Sequence, residues 1–255
     1  NKRRFQKLKG IFISHMHGDH VLGLPGLLST MSLLGRQEAI DIWGPPELDA
    51  WLRHTWGSIQ AHMSFEVNVY EWSQHGVQTL HEAGHYRLRS IPVKHRIPCC
   101  GLRVDEHSLP WKLNGQKASE ARLPFHVRQT LKRGESIGFE GRELKPELWC
   151  TPPRKARSYV YSSDTRPCES LRIAAQGATL LYHDATFNDA DAERAKSTYH
   201  STTTEAARLA RQAEVETLML GHVSLRYKDL DALREEALQE HPNVVLAKDG
   251  LLWRL

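Results

Sequence analysis

Short apolar runs alternate with amphipathic stretches along most of the chain. The first run, residues 10–14, predicts a buried strand that ends at His15, and residues 22–34 predict a helix despite Pro25 and Gly26 near its start. A closing hairpin is predicted between residues 244–246 and 251–253, with its turn at Asp249-Gly250. Further strands are predicted at residues 41–43, 65–72, 86–93, 100–104, 158–161, 178–182 and 217–220, and further helices at residues 168–176, 203–213 and 230–240.

Residues 105–149 break this rhythm. They are polar and show only one short helical pattern, at residues 125–131. A connection of this length inside a compact domain is either functional or disordered. The basic residues of the segment are Lys112, Lys117, Arg122, Arg128, Lys132, Arg133, Arg142 and Lys145.

Composition and charge fit an ordinary globular protein. Of 255 residues, 40% are hydrophobic and 25% are charged. No apolar run reaches the roughly 18 residues of a membrane span, and residues 1–5 lack the apolar core of a secretory signal, so we expect neither. The net charge of +4 permits a polyanionic partner without demonstrating one. Four cysteines without CxxC spacing predict reduced thiols in the cytoplasm rather than a structural zinc site or a disulfide framework.

The segment His15-Met16-His17-Gly18-Asp19-His20 directly follows the first predicted strand. Its four ligand-type side chains cannot all face one core, but on a loop they can diverge towards two neighbouring ions. Imidazole nitrogens and a carboxylate suit zinc. The alternative, a solvated histidine-rich loop, is disfavoured because the preceding strand anchors the segment.

Other predicted strands also end near ligand-type residues. His95, Asp164 and His222 follow the strands at residues 86–93, 158–161 and 217–220. A lone histidine at a strand end is more often structural. Together with the first segment, however, these residues complete seven ligands, which make two adjacent open metal sites if one carboxylate is shared.

This order of ligands resembles that of the metallo-β-lactamase superfamily, and within it the chain resembles ribonuclease Z over nearly its whole length. The resemblance implies an α/β fold, the four-layer αβ/βα sandwich, with two mixed sheets face to face, helices outside and a protruding basic arm. It implies one domain over residues 1–255 with a flexible arm inserted at about residues 105–149. The matching blocks are residues 11–15, 23–28, 163–168, 183–187, 200–202 and 221–227, of which the block at 200–202 and the last are the most specific.

The resemblance also implies two zinc ions per subunit, with manganese as the alternative metal. A hydroxide activated between the metals would attack the phosphorus atom, and Asp19 would orient or deprotonate the attacking water. One ion would be held by His15, His17, His95 and Asp164, and the other by Asp19, His20, His222 and the shared Asp164.

His200 is implied as the acid that protonates the leaving 3′ oxygen. Residues 202–205 predict a capping box, so His200 lies just before a helix N-terminus, where a phosphate is stabilised. Members of the family orient this histidine with a glutamate, and the matching position here is Asp184, which is one methylene shorter. The alternative for Asp184 is an ordinary carboxylate at a strand end.

Residues 105–149 occupy the place of the family's arm, which grips the body of tRNA. Its cations would make salt-sensitive phosphate contacts rather than read sequence. The alternative is a solvated loop. We expect RNA contacts from Lys112, Lys117, Arg122, Arg128, Lys132 and Arg133, and the resemblance implies a homodimer in which each arm serves the other subunit.

The function implied is a cytoplasmic, metal-dependent endoribonuclease that cuts precursor tRNA after the discriminator base and leaves a 3′-hydroxyl. An alternative is a phosphodiesterase or sulfatase of the same fold that acts on small substrates. Another is a protein that only binds RNA, which the full ligand set disfavours. Two N-terminal blocks of the family are absent, so we expect the chain to lack some fifty residues of the family's N-terminal segment, by analogy with the family.

Overall fold

The structure, a computed structural model, describes residues 5–255. Residues 1–4, part of the segment in which no secretory signal is expected, lie outside the described residues. Two compact units make up residues 5–255. The first consists of residues 5–82, 87–104 and 158–255, and the second of Ala83–Tyr86 and Asp105–Arg157.

The strands of the described chain are β1 (Gly10–Phe12), β2 (Ile40–Gly44), β3 (Val67–Glu71), β4 (Gln78–Glu82), β5 (Tyr86–Pro92), β6 (Cys100–Glu106), β7 (Lys112–Leu113), β8 (Ile137–Phe139), β9 (Arg142–Leu144), β10 (Cys150–Thr151), β11 (Ser158–Tyr161), β12 (Leu180–Asp184), β13 (Thr217–Gly221) and β14 (Val244–Leu246). Its α-helices are α1 (Gly18–Val21), α2 (Gly23–Leu33), α3 (Leu48–Ser58), α4 (Gly115–Glu120), α5 (Phe125–Lys132), α6 (Pro146–Trp149), α7 (Glu169–Ala174), α8 (Ala192–Thr198), α9 (Thr203–Gln212) and α10 (Leu230–Leu238). Within residues 5–255, no helix is both long enough and apolar enough to cross a membrane.

Two sheets carry the first unit. Strands β1, β2 and β3 form a parallel sheet in that order. The larger sheet has the order β14-β13-β12-β11-β6-β5-β4, with β11 to β14 parallel and β4 antiparallel to β5. Because parallel strands end at the same edge, the chain segments that follow β11, β12 and β13 come together there. Asp164 and His222 lie in the segments after β11 and β13, and Asp184 is the last residue of β12.

Each sheet buries its own cluster of apolar side chains. Leu181 of β12 and Leu218 of β13 are fully buried together with Ala206 and Ala210 of α9, whose small side chains let the helix lie close to the sheet. Burial of one such leucine contributes about 1.5–3 kcal/mol. The smaller sheet packs Ile40 and Ile42 of β2 against side chains of α2 and α3. These two clusters hold the strand ends in fixed positions.

The second unit has more regular structure than the sequence predicts. The predicted helix at residues 125–131 is present as α5, but α4, α6, the β8–β9 hairpin and the β7–β10 pair surround it. Leu123, Val127 and Leu131 form part of a separate core cluster. Expecting only one helical patch was therefore wrong, because these elements are too short to show a clear hydrophobic period.

The predicted hairpin at the end of the chain is also wrong. The turn at Asp249 and Gly250 forms, with Gly250 at a φ of +80°, but residues 251–255 form no strand and are exposed. Strand β14 pairs instead with β13, in parallel. The apolar residues 251–253 have no covered face to pack on, so alternation alone was a misleading signal.

The other predicted strands and helices are present with small shifts at their ends. The helix predicted over residues 22–34 is α2, and the strand predicted over residues 178–182 is β12, which begins two residues later and continues through Asp184. Strand β4 and helices α1 and α8 were not expected, and α1 places Asp19 and His20 on a short helix where a loop was predicted. The sequence of β4, Gln-Thr-Leu-His-Glu, is mostly polar and partly exposed, so it carries little hydrophobic signal.

Candidate metal centre

The histidine-rich segment begins at His15, and Ile13 and Ser14 lie between it and the end of β1 at Phe12. The carbonyl oxygen of Ile13 accepts a hydrogen bond from Trp72 Nε1 at 2.8 Å, and that of Ser14 accepts one from the Cys100 amide at 3.0 Å. These bonds hold the start of the segment, so His15 is fully buried, whereas the side chain of Asp19 on α1 is 71% exposed. Along the segment, the ligand-type side chains therefore range from fully buried at His15 to largely exposed at Asp19.

Three imidazole nitrogens converge at one point. His17 Nδ1 lies 3.0 Å from His15 Nε2 and 3.2 Å from His95 Nε2. Further sets of ligand atoms within 4.8 Å of one another are His15, His20 and Asp164, then Asp19, His20 and His222, and finally Asp164, His200 and His222. The structure thus brings all seven predicted ligands into one cluster that could bind metal.

The Asp164 carboxylate lies where the sets overlap. Its Oδ2 atom is 3.4 Å from His20 Nε2, 3.5 Å from His222 Nε2 and 3.9 Å from His15 Nε2. Burial acts to raise the pKa of Asp164, but the hydrogen bond from His20 and the neighbouring imidazoles outweigh it, so the pKa lies well below its usual range. A single ionised oxygen can therefore face ions on both sides of the cluster.

Three of the histidines fit a metal in their protonation as well as in their position, whereas the hydrogen bond to Asp164 raises the pKa of His20. Burial is the main cause that lowers the pKa of His15, to about 3, and it also lowers the pKa of His17 and of His95. These rings stay neutral, with a nitrogen lone pair available for a cation. The second ring nitrogen of His15 lies 3.0 Å from Ser14 Oγ, and that of His95 lies 3.2 Å from the carbonyl oxygen of Tyr199. Such oxygen partners are typical of metal-binding histidines.

His200 lies beside this cluster and contacts Asp184. Its Nδ1 atom is 2.8 Å from Asp184 Oδ2, and its ring stacks on that of His222 with centroids 5.1 Å apart. The shorter aspartate therefore reaches the histidine without the extra methylene of a glutamate. Burial opposes the charged form of His200, but the hydrogen bond and the charge of Asp184 outweigh it and raise the pKa of the ring.

Asp184 is completely buried and accepts four hydrogen bonds. Its Oδ2 atom accepts from the Thr165 amide at 2.9 Å as well as from His200. Its Oδ1 atom accepts from the amide of Thr186 at 3.0 Å and from the hydroxyl of the same residue at 2.7 Å. The carboxylate thus joins the loop after β11 to the loop after β12 and to His200.

The backbone of His200 is held by an ion pair. Arg166 Nη1 donates to the carbonyl oxygen of His200 at 2.7 Å and to Glu205 Oε2 at 2.7 Å, and Arg166 Nη2 bonds the other carboxylate oxygen. Glu205 also accepts from the Thr202 amide at 3.0 Å, while the Thr202 hydroxyl accepts from the Glu205 amide. The predicted capping box at the start of α9 is confirmed, and it carries an arginine that the sequence analysis did not single out.

Several residues that shape the site gave no signal of their own in the sequence. Thr186 lies in a block that matches the family, but only Asp184 was selected from it. Tyr182 points its hydroxyl at the backbone of His222 and accepts the amide hydrogen at 3.1 Å. Hydroxyl groups are common at strand ends, so only the observed distances distinguish these from others.

Near the cluster, a cavity of about 450 Å³ opens beside His95, with Lys94 and Arg96 in its wall. One guanidinium nitrogen of Arg96 lies 3.4 Å from His17 Nε2. After burial, the charge of Arg96 is the next cause that lowers the pKa of His17. This cavity gives a phosphate group a cationic wall next to the ligands.

The six cations predicted to bind RNA lie in the second unit and have different surroundings. Arg128 donates to the carbonyl oxygens of Leu123 at 2.7 Å and Ala118 at 3.2 Å, so its guanidinium braces the unit internally. Lys117 bonds the carbonyl oxygen of Leu148, and Arg133 pairs with Glu135. Within residues 5–255 the other three form no ion pair, and they are Lys112, Arg122 and Lys132.

The net positive charge of the chain resides in the second unit. Residues 105–157 contain 11 Lys and Arg and 7 Asp and Glu, which gives +4, and residues 83–86 contain none of either. The whole chain also carries +4. The remaining residues are therefore neutral in sum, so the second unit carries the excess positive charge of the chain.

Known proteins are similar to this chain over nearly its whole length. A family described as the beta-lactamase superfamily domain matches residues 1–111. The ribonuclease Z of Parabacteroides distasonis is 37% identical over 251 residues, which cover 97% of this chain and 82% of that protein. The ribonuclease Z of Porphyromonas gingivalis is 39% identical over 253 residues, which cover 98% and 83%. The crystal structure of human tRNase Z, short form, matches with a TM-score of 0.67 at 22% identity, covering 98% of this chain and 80% of that one. These similarities confirm the predicted fold.

Proposed function

Because the chain belongs to the ribonuclease Z family, we propose that it cuts precursor tRNA after the discriminator base, removes the 3′ trailer and leaves a 3′-hydroxyl. The observation that carries this proposal is the similarity to curated ribonucleases Z at 37% and 39% identity over 97% and 98% of the chain. The cluster of ligand atoms supports it, because hydrolysis of a phosphodiester needs charge stabilisation at the phosphorus atom.

Two zinc ions per subunit are the proposed cofactors, with manganese as the alternative. When bound, the ions lower the pKa of a coordinated water and neutralise charge on the phosphoryl oxygens. The converging neutral imidazoles and the overlap of the ligand sets at Asp164 support two adjacent ions. We assign His15, His17, His95 and Asp164 to one ion, and Asp19, His20, His222 and Asp164 to the other.

His200 is the proposed acid. If its Nδ1–H donates to Asp184, the opposite nitrogen is free to carry the proton that the reaction needs. Water adds to phosphorus, the bond from phosphorus to the 3′ oxygen breaks, and His200 gives its proton to that oxygen. The trailer leaves with a 5′ phosphate. The raised pKa of His200 supports this role, because it increases the protonated fraction near neutral pH.

Asp19 is proposed to orient the attacking water or take its proton, in addition to contacting an ion. Its exposure supports this role, since a water and a substrate must both reach it. The mostly buried Asp164 lacks that access and is proposed as a ligand only.

The second unit is the proposed grip on the tRNA body, in the role of the family's arm. Its net charge of +4 and the cations Lys112, Arg122 and Lys132 support phosphate contacts. We further propose a homodimer in which each arm serves the other subunit's metal centre. The proposed location is the cytoplasm, in keeping with four free cysteines.

A precursor tRNA with a 3′ trailer tests the proposal. The metal-loaded protein is expected to make one cut, with the discriminator base at the new 3′ end, and a chelator is expected to abolish the cut. If the protein hydrolyses a small phosphodiester but leaves this RNA intact, the small-substrate phosphodiesterase replaces the proposal. If the protein binds the RNA but binds no metal and does not cleave the RNA, it is a protein that only binds RNA.

A further inference from the structure

The hydroxyl of Thr186 lies between Asp184 and His222. Thr186 Oγ1 is 2.7 Å from Asp184 Oδ1 and 2.7 Å from His222 Nδ1. Asp184 Oδ1 itself is 4.0 Å from His222 Nδ1, which is too far for a direct hydrogen bond. The hydroxyl therefore makes the connection that the short aspartate cannot make alone.

The direction of both hydrogen bonds follows from the neighbours of Asp184. The amides of Thr165 and Thr186 can only donate, and they approach Oδ2 and Oδ1 respectively. A carboxylate offers only acceptors, so the Thr186 hydroxyl gives its single hydrogen to Oδ1. Its oxygen is then left to accept, and the partner at 2.7 Å is His222 Nδ1, which must carry a hydrogen.

A histidine that carries its hydrogen on Nδ1 has its lone pair on Nε2. His222 Nε2 faces the cluster, 3.5 Å from Asp164 Oδ2. We propose that Thr186 is a positioning residue that fixes the tautomer and the ring orientation of His222, so that Nε2 is ready to bind a metal ion before the ion arrives. This inference rests on the proposed metal centre and extends it to a residue outside the ligand set.

The backbone of His222 does not by itself fix the orientation of the imidazole ring. His222 has a φ of +57°, in the left-handed region, and its amide donates to the Tyr182 hydroxyl at 3.1 Å. These features fix the position of the Cα atom, but they do not fix the side-chain torsion angles that orient the ring. The ring is about one-third exposed and stacks on that of His200, but neither feature decides which ring nitrogen faces the cluster, and the bond to Thr186 does.

The same carboxylate that anchors Thr186 also contacts His200. Asp184 Oδ2 lies 2.8 Å from His200 Nδ1, while Asp184 Oδ1 accepts a hydrogen bond from the Thr186 hydroxyl. One buried anion thus orients the proposed acid directly and a proposed metal ligand through one hydroxyl. Loss of the Thr186 hydroxyl is therefore expected to weaken metal binding at His222 while the contact between His200 and Asp184 persists.

Three variants separate this role from ordinary stabilisation. Thr186→Val keeps the side-chain shape and removes the hydroxyl, and Thr186→Ser keeps the hydroxyl. Thr217→Val is the matched control. Thr217 is also 8% exposed, like Thr186, and it accepts a side-chain hydrogen bond from Asn243. It lies at the start of β13, however, whereas His222 follows the end of that strand.

Zinc affinity is measured by competition with a chromogenic chelator. We expect Thr186→Val to bind one of its two zinc ions about 10- to 100-fold more weakly than the unaltered protein, and Thr186→Ser and Thr217→Val to bind both ions with unaltered affinity. Unaltered zinc binding by a folded Thr186→Val protein would overturn the inference. If the unaltered protein itself binds no zinc, the proposed function fails, which is a different result.

Nitrogen-15 NMR of the histidine rings in the metal-free protein gives a second readout that does not depend on how well the variants fold. The unaltered protein is expected to show His222 with its hydrogen on Nδ1. A predominance of the other tautomer, with the hydrogen on Nε2, would overturn the inference whatever the zinc affinities are.

Discussion

His200 Nδ1 lies 2.8 Å from Asp184 Oδ2, so the aspartate makes the contact for which the resemblance to the family implied a longer glutamate. The compensation comes from the surroundings. Strand β12 continues through Asp184, and the amides of Thr165 and Thr186 hold the carboxylate in place. The contact therefore depends on the position of the strand end as much as on the length of the side chain.

Asp184→Asn is expected to lower both activity and stability. An amide group must turn its NH₂ towards at least one of the donors that now face the carboxylate, which leaves a buried donor unpaired. We expect a loss of about 1–3 kcal/mol in the free energy of unfolding. We expect kcat to fall by about 10²- to 10⁴-fold, because His200 loses the partner that orients its proton. Urea denaturation and single-turnover cleavage measure the two effects. The exposed Asp189→Asn is the control and should change neither, and a kcat within twofold of normal for Asp184→Asn would contradict the role of Asp184.

Arg166→Met is expected to loosen His200 through its backbone. The substitution removes the hydrogen bond to the His200 carbonyl oxygen and leaves the partly buried Glu205 without its cation. A hydrogen bond from a charged group contributes about 1.5–3 kcal/mol, and we expect a loss of that size together with a lower kcat and an unchanged KM. Arg172→Met is the control, because the exposed pair of Arg172 and Glu169 lies within one helix and contributes little. A rise in KM with normal kcat would show that Arg166 acts on substrate binding instead.

Cations of the second unit are expected to fall into two functional groups. Lys112→Gln combined with Arg122→Gln should raise KM for precursor tRNA and reduce the dependence of binding on salt by about two phosphate contacts, with unaltered stability. Arg128→Gln should lower stability, because it loses hydrogen bonds to Leu123 and Ala118, and should leave the salt dependence close to normal. Binding of the RNA over a series of salt concentrations distinguishes them. Equal salt slopes for the double variant and the unaltered protein would rule out Lys112 and Arg122 as phosphate contacts.

Two glycines are expected to respond in opposite ways to alanine. A Cβ atom at Gly221 would lie 2.0 Å from the Tyr182 ring, so Gly221→Ala must displace the side chain that holds the His222 amide. We expect overpacking to destabilise the fold by about 1–3 kcal/mol and zinc binding to weaken. A Cβ atom at Gly57 meets nothing within 4 Å, and Gly57 lies in α3, so Gly57→Ala should raise stability by about 0.5–1 kcal/mol. Thermal unfolding and zinc titration of both variants check this, and normal zinc binding by Gly221→Ala would show that Tyr182 does not support the metal centre.

The sequence singles out the residues of the cluster because their chemistry is unusual for their positions. Histidines and aspartates at the ends of apolar strands are conspicuous, and the structure brings His15, His95, Asp164 and His222 into one cluster. Thr186 and Tyr182 could not be selected in the same way, since hydroxyl groups are common in and after strands and the role of these two depends on hydrogen-bond distances that only the structure shows.

Charge alone was also a poor guide to where a side chain points. Arg128 and Lys132 are close in sequence and equally basic, yet the guanidinium of Arg128 is used inside its unit. The predicted C-terminal hairpin was wrong for a related reason. The Asp249-Gly250 turn depends only on the residues of the turn, whereas a strand also needs a neighbouring strand with free backbone groups. Local sequence patterns therefore identified turns, helix caps and ligand-type residues, but they did not identify which residues of other elements these pack against.

The most direct test of the account is cleavage of precursor tRNA in which the scissile 3′ oxygen is replaced by sulfur. Sulfur leaves without a proton, so the need for an acid disappears. Under single-turnover conditions, His200→Ala is expected to cut the oxygen substrate about 10²- to 10⁴-fold more slowly than the unaltered protein, yet to cut the sulfur substrate at nearly the same rate, at the discriminator base in both cases. An equal defect of His200→Ala on both substrates would contradict His200 as the acid, and the absence of any cut at the discriminator by the unaltered protein would contradict the proposed function itself.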